Sequence, residues 1–290
     1  MGKTKIEWTD TVLPNGSTVQ GYTFNPWWGC AKVSEGCKNC YAESLDHRYG
    51  GAHWGLNVYR KFQSEKYWKG PVNWNLTALR QGHRAKVFCA SMADLFEFNP
   101  ALDDTRQRVF DLIEITPHLD WLLLTKRPEN ILDMLPRHWQ NMSELPSNVW
   151  LGCTAENQER FDQRIKSLEK IKEYYPQTIT FMSMEPLLGD INMQTIYGSG
   201  TLDWVIVGGE SGPKARPMNP RWAWKIIATC LEWNIPVFFK QWGEYKPVQG
   251  EGFYHPIKNR YGQIDHDRLG KHDSGHEFYG AYYRLYPKQK

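Results

Sequence analysis

Residues 149–182 (VWLGCTAENQERFDQRIKSLEKIKEYYPQTITFM) contain, in one stretch, the unit from which the fold is built. An apolar run at 149–153 and another at 178–182 enclose a polar stretch at 156–174. Within that stretch, apolar residues recur every three or four positions: Phe161, Ile165, Leu168 and Ile171. This spacing predicts an amphipathic helix between two strands. Because the two runs are apolar almost throughout, we expect strands buried on both faces, as parallel sheets require.

The same alternation of apolar run and helical stretch repeats along most of the chain. Further strands are predicted at 22–25, 86–90 (KVFCA), 121–125 (WLLLT), 204–207 (WVIV) and 236–239 (PVFF). Further helices are predicted at 103–116, 128–135 and 219–233. The pattern predicts an α/β fold, a (βα) barrel or partial TIM-like barrel over residues 1–244 in a single domain. Residues 245–290 are polar and rich in Gly, His and Tyr, and we expect them to form a C-terminal extension packing on the barrel.

Composition narrows the class of protein. With 290 residues, 41% hydrophobic and 23% charged, the chain can bury a large core. Its net charge of +3 is too small to indicate nucleic-acid binding by itself, and it does not exclude it. No apolar run approaches the roughly 18 residues of a membrane span, and residues 1–10 lack the apolar stretch of a signal peptide. We therefore expect a cytoplasmic protein with no membrane partner.

Polar residues follow strand after strand. The candidates at these strand ends are Ser91, Asp94, Lys126, Thr154, Glu156, Asn157, Glu185, Gly208, Gly209, Glu210 and Lys240. Because the carboxyl ends of parallel strands meet at one face, we expect these residues to form one active-site face. A helix N-cap is the alternative role for the residues at 154–157. The acid at 185 is expected to pair with a cation, for which Lys126, Arg127, Arg216 and Lys240 are candidates.

The strongest local signal is the stretch 25–43 (NPWWGCAKVSEGCKNCYAE), in which Cys30, Cys37 and Cys40 have the spacing C-x6-C-x2-C. In a reducing compartment such a triplet indicates metal or redox chemistry rather than a disulfide. Three thiolates suit an iron–sulfur cluster or a zinc site. Zinc needs a fourth ligand, for which His47 or Cys89 are candidates without a familiar pattern. Free cysteines buried as small apolar residues are a third alternative. We favour a [4Fe-4S] cluster with one iron left open.

The cysteine stretch resembles the cluster-binding loop of radical S-adenosylmethionine enzymes, especially the spore photoproduct lyase-like branch. More closely, the chain resembles a phage-associated family of formerly unknown function. The motifs that carry this resemblance are NPWWGCAKVSEGCKNCYAE, FCASMADLFE, WLLLTKRPENI, VWLGCTAENQ, MSMEPLLGDI, WVIVGGESGPKARPM and PVFFKQWGE, which together span residues 8 to about 244. The first gap between cysteines is six residues rather than the three usual in radical enzymes, an insertion that a loop accommodates at modest entropic cost.

The resemblance implies a mechanism. The cluster on the three cysteines would bind S-adenosylmethionine, and an electron from a donor such as flavodoxin would generate a 5′-deoxyadenosyl radical. Asp94, in the segment beginning at Ser91, would contact the methionyl amine. Thr154, Glu156 and Asn157 would bind the ribose, and Gly208 and Gly209 would let the backbone approach the adenine or substrate. Lys126 is a further cofactor-binding candidate, and Glu185, Glu210 and Lys240 are the catalytic candidates. The reaction class (isomerase, lyase or transferase) is left open.

The expected substrate is a nucleotide or a hypermodified thymine base in phage DNA, acted on in the host cytoplasm if the protein is phage-encoded. Aromatic and basic residues could stack a base and contact phosphate: Trp27, Trp28, Trp54, Trp68, Trp74, Arg60, Lys61, Lys66, Lys69, Arg80, Arg84 and Lys86. A solvated basic surface with aromatic anchors is the alternative. Two other functions stay open, a zinc-stabilised nucleic-acid-binding protein without catalysis and a hydrolase using Glu185 and Glu210 as paired carboxylates.

Overall fold

The computed structural model describes residues 3–248 and 263–288. One sheet of seven parallel strands forms the centre of the fold. Its strands are β1 (Tyr22–Phe24), β2 (Ala85–Cys89), β3 (Leu119–Thr125), β4 (Val149–Thr154), β5 (Ile179–Met184), β6 (Trp204–Gly208) and β7 (Val237–Gln241). They lie side by side in chain order, and β1 and β7 form the two edges without pairing with each other in the described residues. The predicted α/β single domain with a partial barrel is therefore confirmed as a curled half-barrel, and the sheet is not closed into a full TIM barrel.

Helices flank this sheet. They are α1 (Tyr41–Arg48), α2 (Glu65–Gln81), α3 (Asp103–Glu114), α4 (Ile131–Met134), α5 (Arg137–Gln140), α6 (Gln158–Tyr174), α7 (Pro220–Glu232) and α8 (Lys271–Ser274). Short 3₁₀ turns lie at Glu7–Thr9, Glu35–Cys37, Pro100–Leu102, Pro128–Asn130 and Gln194–Ile196. Three two-stranded antiparallel ribbons pair Thr11–Val12 with Thr18–Val19, Trp27–Trp28 with Lys61–Phe62, and Tyr245–Pro247 with His266–Arg268. No helix in the described parts of the chain is both long and apolar enough to cross a membrane.

The predicted helices at 103–116, 156–174 and 219–233 are confirmed, and the stretch 128–135 forms a 3₁₀ turn followed by α4. Helices α1, α2, α5 and α8 were not predicted. Gly70 and Pro71 lie within α2, and Asn75 occupies one of its buried positions. These residues interrupt the apolar spacing by which a helix is recognised in a sequence.

Two layers of apolar side chains fill the space on either side of the sheet. The outer layer packs the sheet against the helices, and the predicted face of α6 lies in it with all four apolar residues buried. The inner layer fills the hollow of the half-barrel: Trp8, Phe88, Leu122, Trp150, Ile179, Phe181, Trp204, Ile206 and Phe238. The ring of Phe181 covers Gly152 so closely that a Cβ there would lie 2.4 Å from it. A side chain at position 152 would therefore displace the ring.

The two ends of the chain close the amino-terminal end of the half-barrel. Trp8 packs into the inner layer, and the Tyr286 hydroxyl donates a hydrogen bond to the Glu7 carbonyl oxygen at 2.8 Å. The Trp204 indole donates to the Leu285 carbonyl oxygen at 2.9 Å. The backbone N–H of Leu285 donates to Val237 at 3.1 Å, so this part of the C-terminal extension packs on the edge strand β7. The polar strand ends lie at the other end of the half-barrel, at the carboxyl edge of the sheet.

Lys86 lies buried among the groups that close this end. Its ammonium donates to the Asp10 carbonyl oxygen at 2.6 Å and lies 4.6 Å from the centre of the Tyr286 ring and 5.8 Å from that of Trp150. Burial lowers the pKa of Lys86 to about 8, although the charges of Asp120 and Asp10 act in the opposite direction. The lysine predicted to contact nucleic acid is therefore part of the protein interior.

This burial predicts a pH-dependent effect of Lys86→Met. Since the pKa of Lys86 is lower in the folded than in the unfolded chain, the unfolded chain binds more protons between pH 8 and 10, and the lysine contributes increasing stability as pH rises. Between pH 7 and pH 10, the unfolding free energy of the wild type minus that of Lys86→Met should increase by about 1–3 kcal/mol. Urea titrations at each pH measure this, and a constant difference between the two proteins would contradict it.

Candidate functional site at the cysteine loop

The three clustered cysteines lie on the loop that follows β1. Cys30 comes two residues after the Trp27–Trp28 strand, Cys37 ends the 3₁₀ turn Glu35–Cys37, and Cys40 is the N-cap of α1. All three are free thiols of intermediate exposure. The N–H of Gly29 donates to the carbonyl oxygen of Met92, just beyond β2, at 3.0 Å. This bond places the start of the loop at the carboxyl edge of the sheet.

Cations lie beside two of the thiols. The Arg127 guanidinium is 3.6 Å from the Cys30 sulfur. Burial and the neighbouring charge of Asp94 raise the pKa of Cys30 to about 12, although Arg127 acts in the opposite direction. Burial also raises the pKa of Cys40, against the effect of two backbone N–H groups of α1 and the charge of Lys126. These thiols hold their protons near neutral pH, and coordination to a metal would release them.

The side-chain conformations do not form a closed metal site. Within residues 3–248 and 263–288, no three His, Cys, Asp or Glu side chains come close enough to hold one ion. At least one cysteine must therefore move before the three share a metal. Cys89, one candidate for a fourth zinc ligand, is fully buried in β2, and His47 is exposed on α1. The three cysteines of one loop are soft sulfur donors, which suit an iron–sulfur cluster or a zinc site once their side chains converge.

A buried carboxylate holds the loop beside Cys30. Glu97 accepts a hydrogen bond from the N–H of Ala31 at 3.1 Å and is paired with Arg60 at 2.6 Å. Arg127 donates to the carbonyl oxygen of Ala31 at 2.7 Å and is paired with Asp94 at 2.8 Å. Both backbone groups of Ala31 are therefore bound by side chains from outside the loop. Two different ion pairs therefore hold the backbone of Ala31: Glu97 with Arg60 at its N–H, and Arg127 with Asp94 at its carbonyl oxygen.

A second carboxylate holds the middle of the loop. Glu156, fully buried after β4, accepts hydrogen bonds from the Ser34 hydroxyl and from the N–H of Gly36 at 3.1 Å. Its other oxygen is paired with Arg164 at 2.7 Å. A Cβ at Gly36 would lie 2.8 Å from the Glu156 oxygen, so only glycine fits there without displacing the carboxylate.

A third carboxylate holds the loop between Glu35 and Asn39. Glu210 accepts hydrogen bonds from Asn39 at 3.1 Å and from the Arg216 side chain at 2.5 and 2.8 Å. Arg216 also donates to the Glu35 carbonyl oxygen at 3.0 Å. Burial alone would raise the pKa of Glu210, but the hydrogen bonds from Arg216 and Asn39 hold it below its usual value. We call Glu97, Glu156 and Glu210, with Arg60, Arg164 and Arg216, the loop clamps.

Several strand-end residues predicted to contact the cofactor therefore bind protein groups. Both oxygens of Asp94 are occupied, by Thr125 at 2.6 Å, by the N–H of Lys126 at 3.2 Å and by Arg127. Asn157 is the N-cap of α6, the alternative role named from the sequence, and its amide binds Glu35. The sequence identified these polar residues as candidates, but it did not show that the carboxylates among them would be paired with arginines.

Another group of predicted residues lies at the same edge without contacting the cysteine loop through hydrogen bonds. Glu185 is paired with Lys240 at 2.7 Å and accepts from Gln241 at 3.0 Å, and each member of the pair has a side chain 19% exposed. Of the four candidate cations for Glu185, Lys240 is the one that binds it. Lys126 lies 3.4 Å from the Thr154 hydroxyl.

The remaining candidates lie in the turns that end two strands. Ser91 exchanges hydrogen bonds with Asn25, and its carbonyl oxygen accepts from the Tyr41 hydroxyl at 2.8 Å. A Cβ at Gly208 would lie 3.2 Å from the Glu185 carboxyl carbon. A Cβ at Gly209 would lie 1.8 Å from the Trp242 carbonyl oxygen, so Gly209 is required by backbone packing.

The fold and site define an α/β half-barrel protein with a clamped cysteine loop over the carboxyl edge of its sheet. The chain belongs to a family described as a protein of unknown function (DUF5131), whose profile matches residues 3–287. No curated protein and no solved structure matches the chain.

The clamps predict a pH-dependent loss of stability in Glu210→Gln, which removes the charge and keeps the size of the side chain. The variant should lose about 1–3 kcal/mol of unfolding free energy at pH 7, because Arg216 loses its partner. Since the pKa of Glu210 is lowered in the folded protein, this stabilisation is complete above its unfolded pKa of about 4.3 and is lost as pH falls through the folded value. The deficit should therefore shrink below about pH 4, as urea titrations at pH 3–7 can show.

Glu159→Gln is the matched control, because that side chain is 64% exposed on α6. It should change the unfolding free energy by less than about 0.5 kcal/mol. The same samples can be treated with a thiol reagent, and Glu210→Gln should expose Cys37 and Cys40 to faster modification than Glu159→Gln. A deficit in Glu210→Gln that persists at pH 3 would show that the carboxylate charge is not what holds the loop.

Proposed function

We propose that the protein is a radical S-adenosylmethionine enzyme in which Cys30, Cys37 and Cys40 hold a [4Fe-4S] cluster, and that its substrate is a nucleotide or a base of nucleic acid such as a hypermodified thymine. The observation that carries the proposal is the placement of three free cysteines on one loop, fixed over the carboxyl edge of a parallel half-barrel. The resemblance of the loop sequence to that of radical enzymes supports it, and so does the donor chemistry of three cysteine sulfurs.

When bound, the cluster and S-adenosylmethionine supply one-electron cleavage of the sulfonium and abstraction of a hydrogen atom from the substrate, with the electron coming from a donor such as flavodoxin. The chain itself supplies position and charge. Arg127 carries its positive charge 3.6 Å from the Cys30 sulfur, where it favours the thiolate that a cluster requires. The loop clamps hold the backbone before Cys37 and the Asn39 side chain after it, so the loop does not have to be ordered at the moment of binding.

The pair of Glu185 and Lys240 is the best-placed group for contacting a polar ligand. Both side chains are partly exposed at the ends of β5 and β7. Lys240 can donate to a carboxylate or phosphate, and Glu185 can accept from an amine or hydroxyl. Ser91, Lys126 and Thr154, together with the backbone at Gly208 and Gly209, complete the proposed surface for S-adenosylmethionine and substrate.

The hydrolase alternative is disfavoured by the electrostatics of its two carboxylates. A general acid must hold a proton near neutral pH, and the pKa of Glu210 is lowered by Arg216 and Asn39. Glu185 binds Lys240, and Glu210 binds Arg216, so each carboxylate is engaged with its own cation.

Metal content tests the proposal. Protein purified without oxygen and reconstituted with iron and sulfide should be brown and contain about four irons per chain. With dithionite and S-adenosylmethionine it should form 5′-deoxyadenosine. Cys37→Ala should lose the iron and this product. Cys230→Ala is the matched control, because Cys230 is buried on α7 away from the loop, and it should retain both.

Two results would overturn the proposal. One is a colourless wild-type protein that binds one zinc and no iron, which would support the zinc-stabilised alternative. The other is full turnover in Cys37→Ala, which would show that the chemistry does not depend on the loop.

A further inference from the structure

A second feature lies directly beside the cysteine loop. Two pairs of aromatic rings, Trp28 with Tyr49 and Tyr59 with Phe62, lie along one ribbon beside Lys61, and we call these five residues the aromatic ledge. The rings of Trp28 and Tyr49 are 6.2 Å apart, and the Lys61 ammonium lies 5.1 Å above Trp28. The rings of Tyr59 and Phe62 are 5.8 Å apart. Tyr49 is 70% exposed and Tyr59 71% exposed. Large exposed aromatic side chains grouped in this way mark a binding surface.

The ledge is held rigidly. Its Trp27–Trp28 and Lys61–Phe62 strands form an antiparallel ribbon. Buried Arg60 donates hydrogen bonds to the carbonyl oxygens of Gly55 and Val58 beneath the ledge, at 2.9 and 2.8 Å. The N–H of Gly55 in turn donates to the carbonyl oxygen of Cys30 at 3.0 Å. The same scaffold therefore fixes the exposed rings and the start of the cysteine loop.

The charge around the ledge is positive. The acids of the surrounding segment are engaged, Glu43 with Lys32 at 2.6 Å and Glu65 with Arg108 at 2.5 Å. Asp46 is buried and paired with His53. The exposed cations Arg48, Lys61 and Lys66 form no ion pair within the described residues. A partner that meets this surface therefore gains from carrying negative charge.

The structure changes which residues could stack a base. Of the tryptophans named from the sequence, Trp27 and Trp68 are buried in the core, and Trp74 stacks on Tyr22 with ring centres 4.5 Å apart. The exposed rings belong instead to Tyr49, Tyr59 and Phe62. Of the basic residues, Arg60 is buried while Lys61 and Lys66 are exposed.

We propose that the aromatic ledge binds single-stranded nucleic acid, with bases stacked on Tyr49 and Tyr59 and phosphates against Arg48, Lys61 and Lys66. Exposed rings interleaved with unpaired cations are the combination by which proteins bind unpaired strands without reading sequence. Delivery of a base from the ledge to the cysteine loop rests on the proposed function, whereas the binding itself does not. A purely apolar protein partner would make no use of the three cations.

Fluorescence anisotropy with a labelled oligonucleotide of about 12 nucleotides tests the proposal, because this length covers a typical stacking site. The wild type should bind the single strand, as DNA or RNA, more tightly than the matching duplex. Tyr49→Ala combined with Tyr59→Ala should weaken binding by about tenfold or more. Lys61→Glu should weaken binding and reduce the slope of log affinity against log salt by about one.

Matched controls come from the far side of the molecule. Tyr174→Ala combined with Lys170→Glu removes an exposed ring and an exposed cation from α6, and it should leave the affinity unchanged. Tyr49 and Tyr59 are exposed, so their removal should leave the urea unfolding curve in place and rule out misfolding as the cause. Wild-type protein that binds no single strand even at low salt would overturn the proposal. Equal binding by the wild type and both ledge variants would do the same.

The outcome separates this inference from the proposed function. Cys37→Ala should retain the affinity for the oligonucleotide, because the ledge does not include the cysteine side chains. Strand binding by wild-type protein that takes up no iron on reconstitution would support the ledge and overturn the radical mechanism. Formation of 5′-deoxyadenosine in a protein that binds no strand would overturn the ledge alone.

Discussion

The pairing of buried carboxylates with arginines is the interaction on which the rest of the site depends. Glu156 is fully inaccessible to solvent, Glu97 nearly so, and each would be costly to bury without a cation. Breaking such a pair by removing one partner typically costs about 3–5 kcal/mol, because the other charge is left uncompensated. Each carboxylate also accepts from a backbone N–H of the cysteine loop, so the loop is attached to the strongest electrostatic contacts of the sheet edge. The loop adopts one position because the ion pairs beneath it have one geometry.

The candidate site lies at the carboxyl edge of the sheet because side chains close the amino-terminal end of the half-barrel. Aromatic side chains such as Trp150 and Trp204 fill the hollow, and Trp8 and Tyr286 close its amino-terminal end. At the carboxyl end the ring of Phe181 covers Gly152, and Gly208 lies beside the Glu185 carboxyl group. The polar strand ends lie at this edge, which is where parallel sheets generally place their chemistry.

The sequence was sufficient to predict the strands of the central sheet, helices α3, α4, α6 and α7, and the edge at which polar residues meet, because each of these follows from the alternation of apolar runs and amphipathic stretches. It did not predict what those polar residues do. Asp94 and Arg127 lie 33 positions apart, and Glu97 and Arg60 lie 37 apart, so no local pattern shows that they pair. The burial of Trp27 and Trp68, two of the candidates for stacking a base, could not be predicted for a similar reason, since composition counts aromatic rings without showing which of them the core takes. Exposure of Tyr49 and Tyr59 depends on the ribbon beside them, which only the folded chain reveals.

The division of polar groups at the edge also limits the chemistry that side chains alone can perform. Glu97, Glu156 and Glu210 are committed to arginines and to loop backbone, and Asp94 is committed to Arg127. What remains near them is the Glu185–Lys240 pair, whose two charges bind each other. A reactant must displace one of these contacts before either group can act on it as an acid or a base. In the function that we propose, a group bound on the three cysteines would supply the reactivity, and the chain would provide position, charge and, at the ledge, a surface for the substrate.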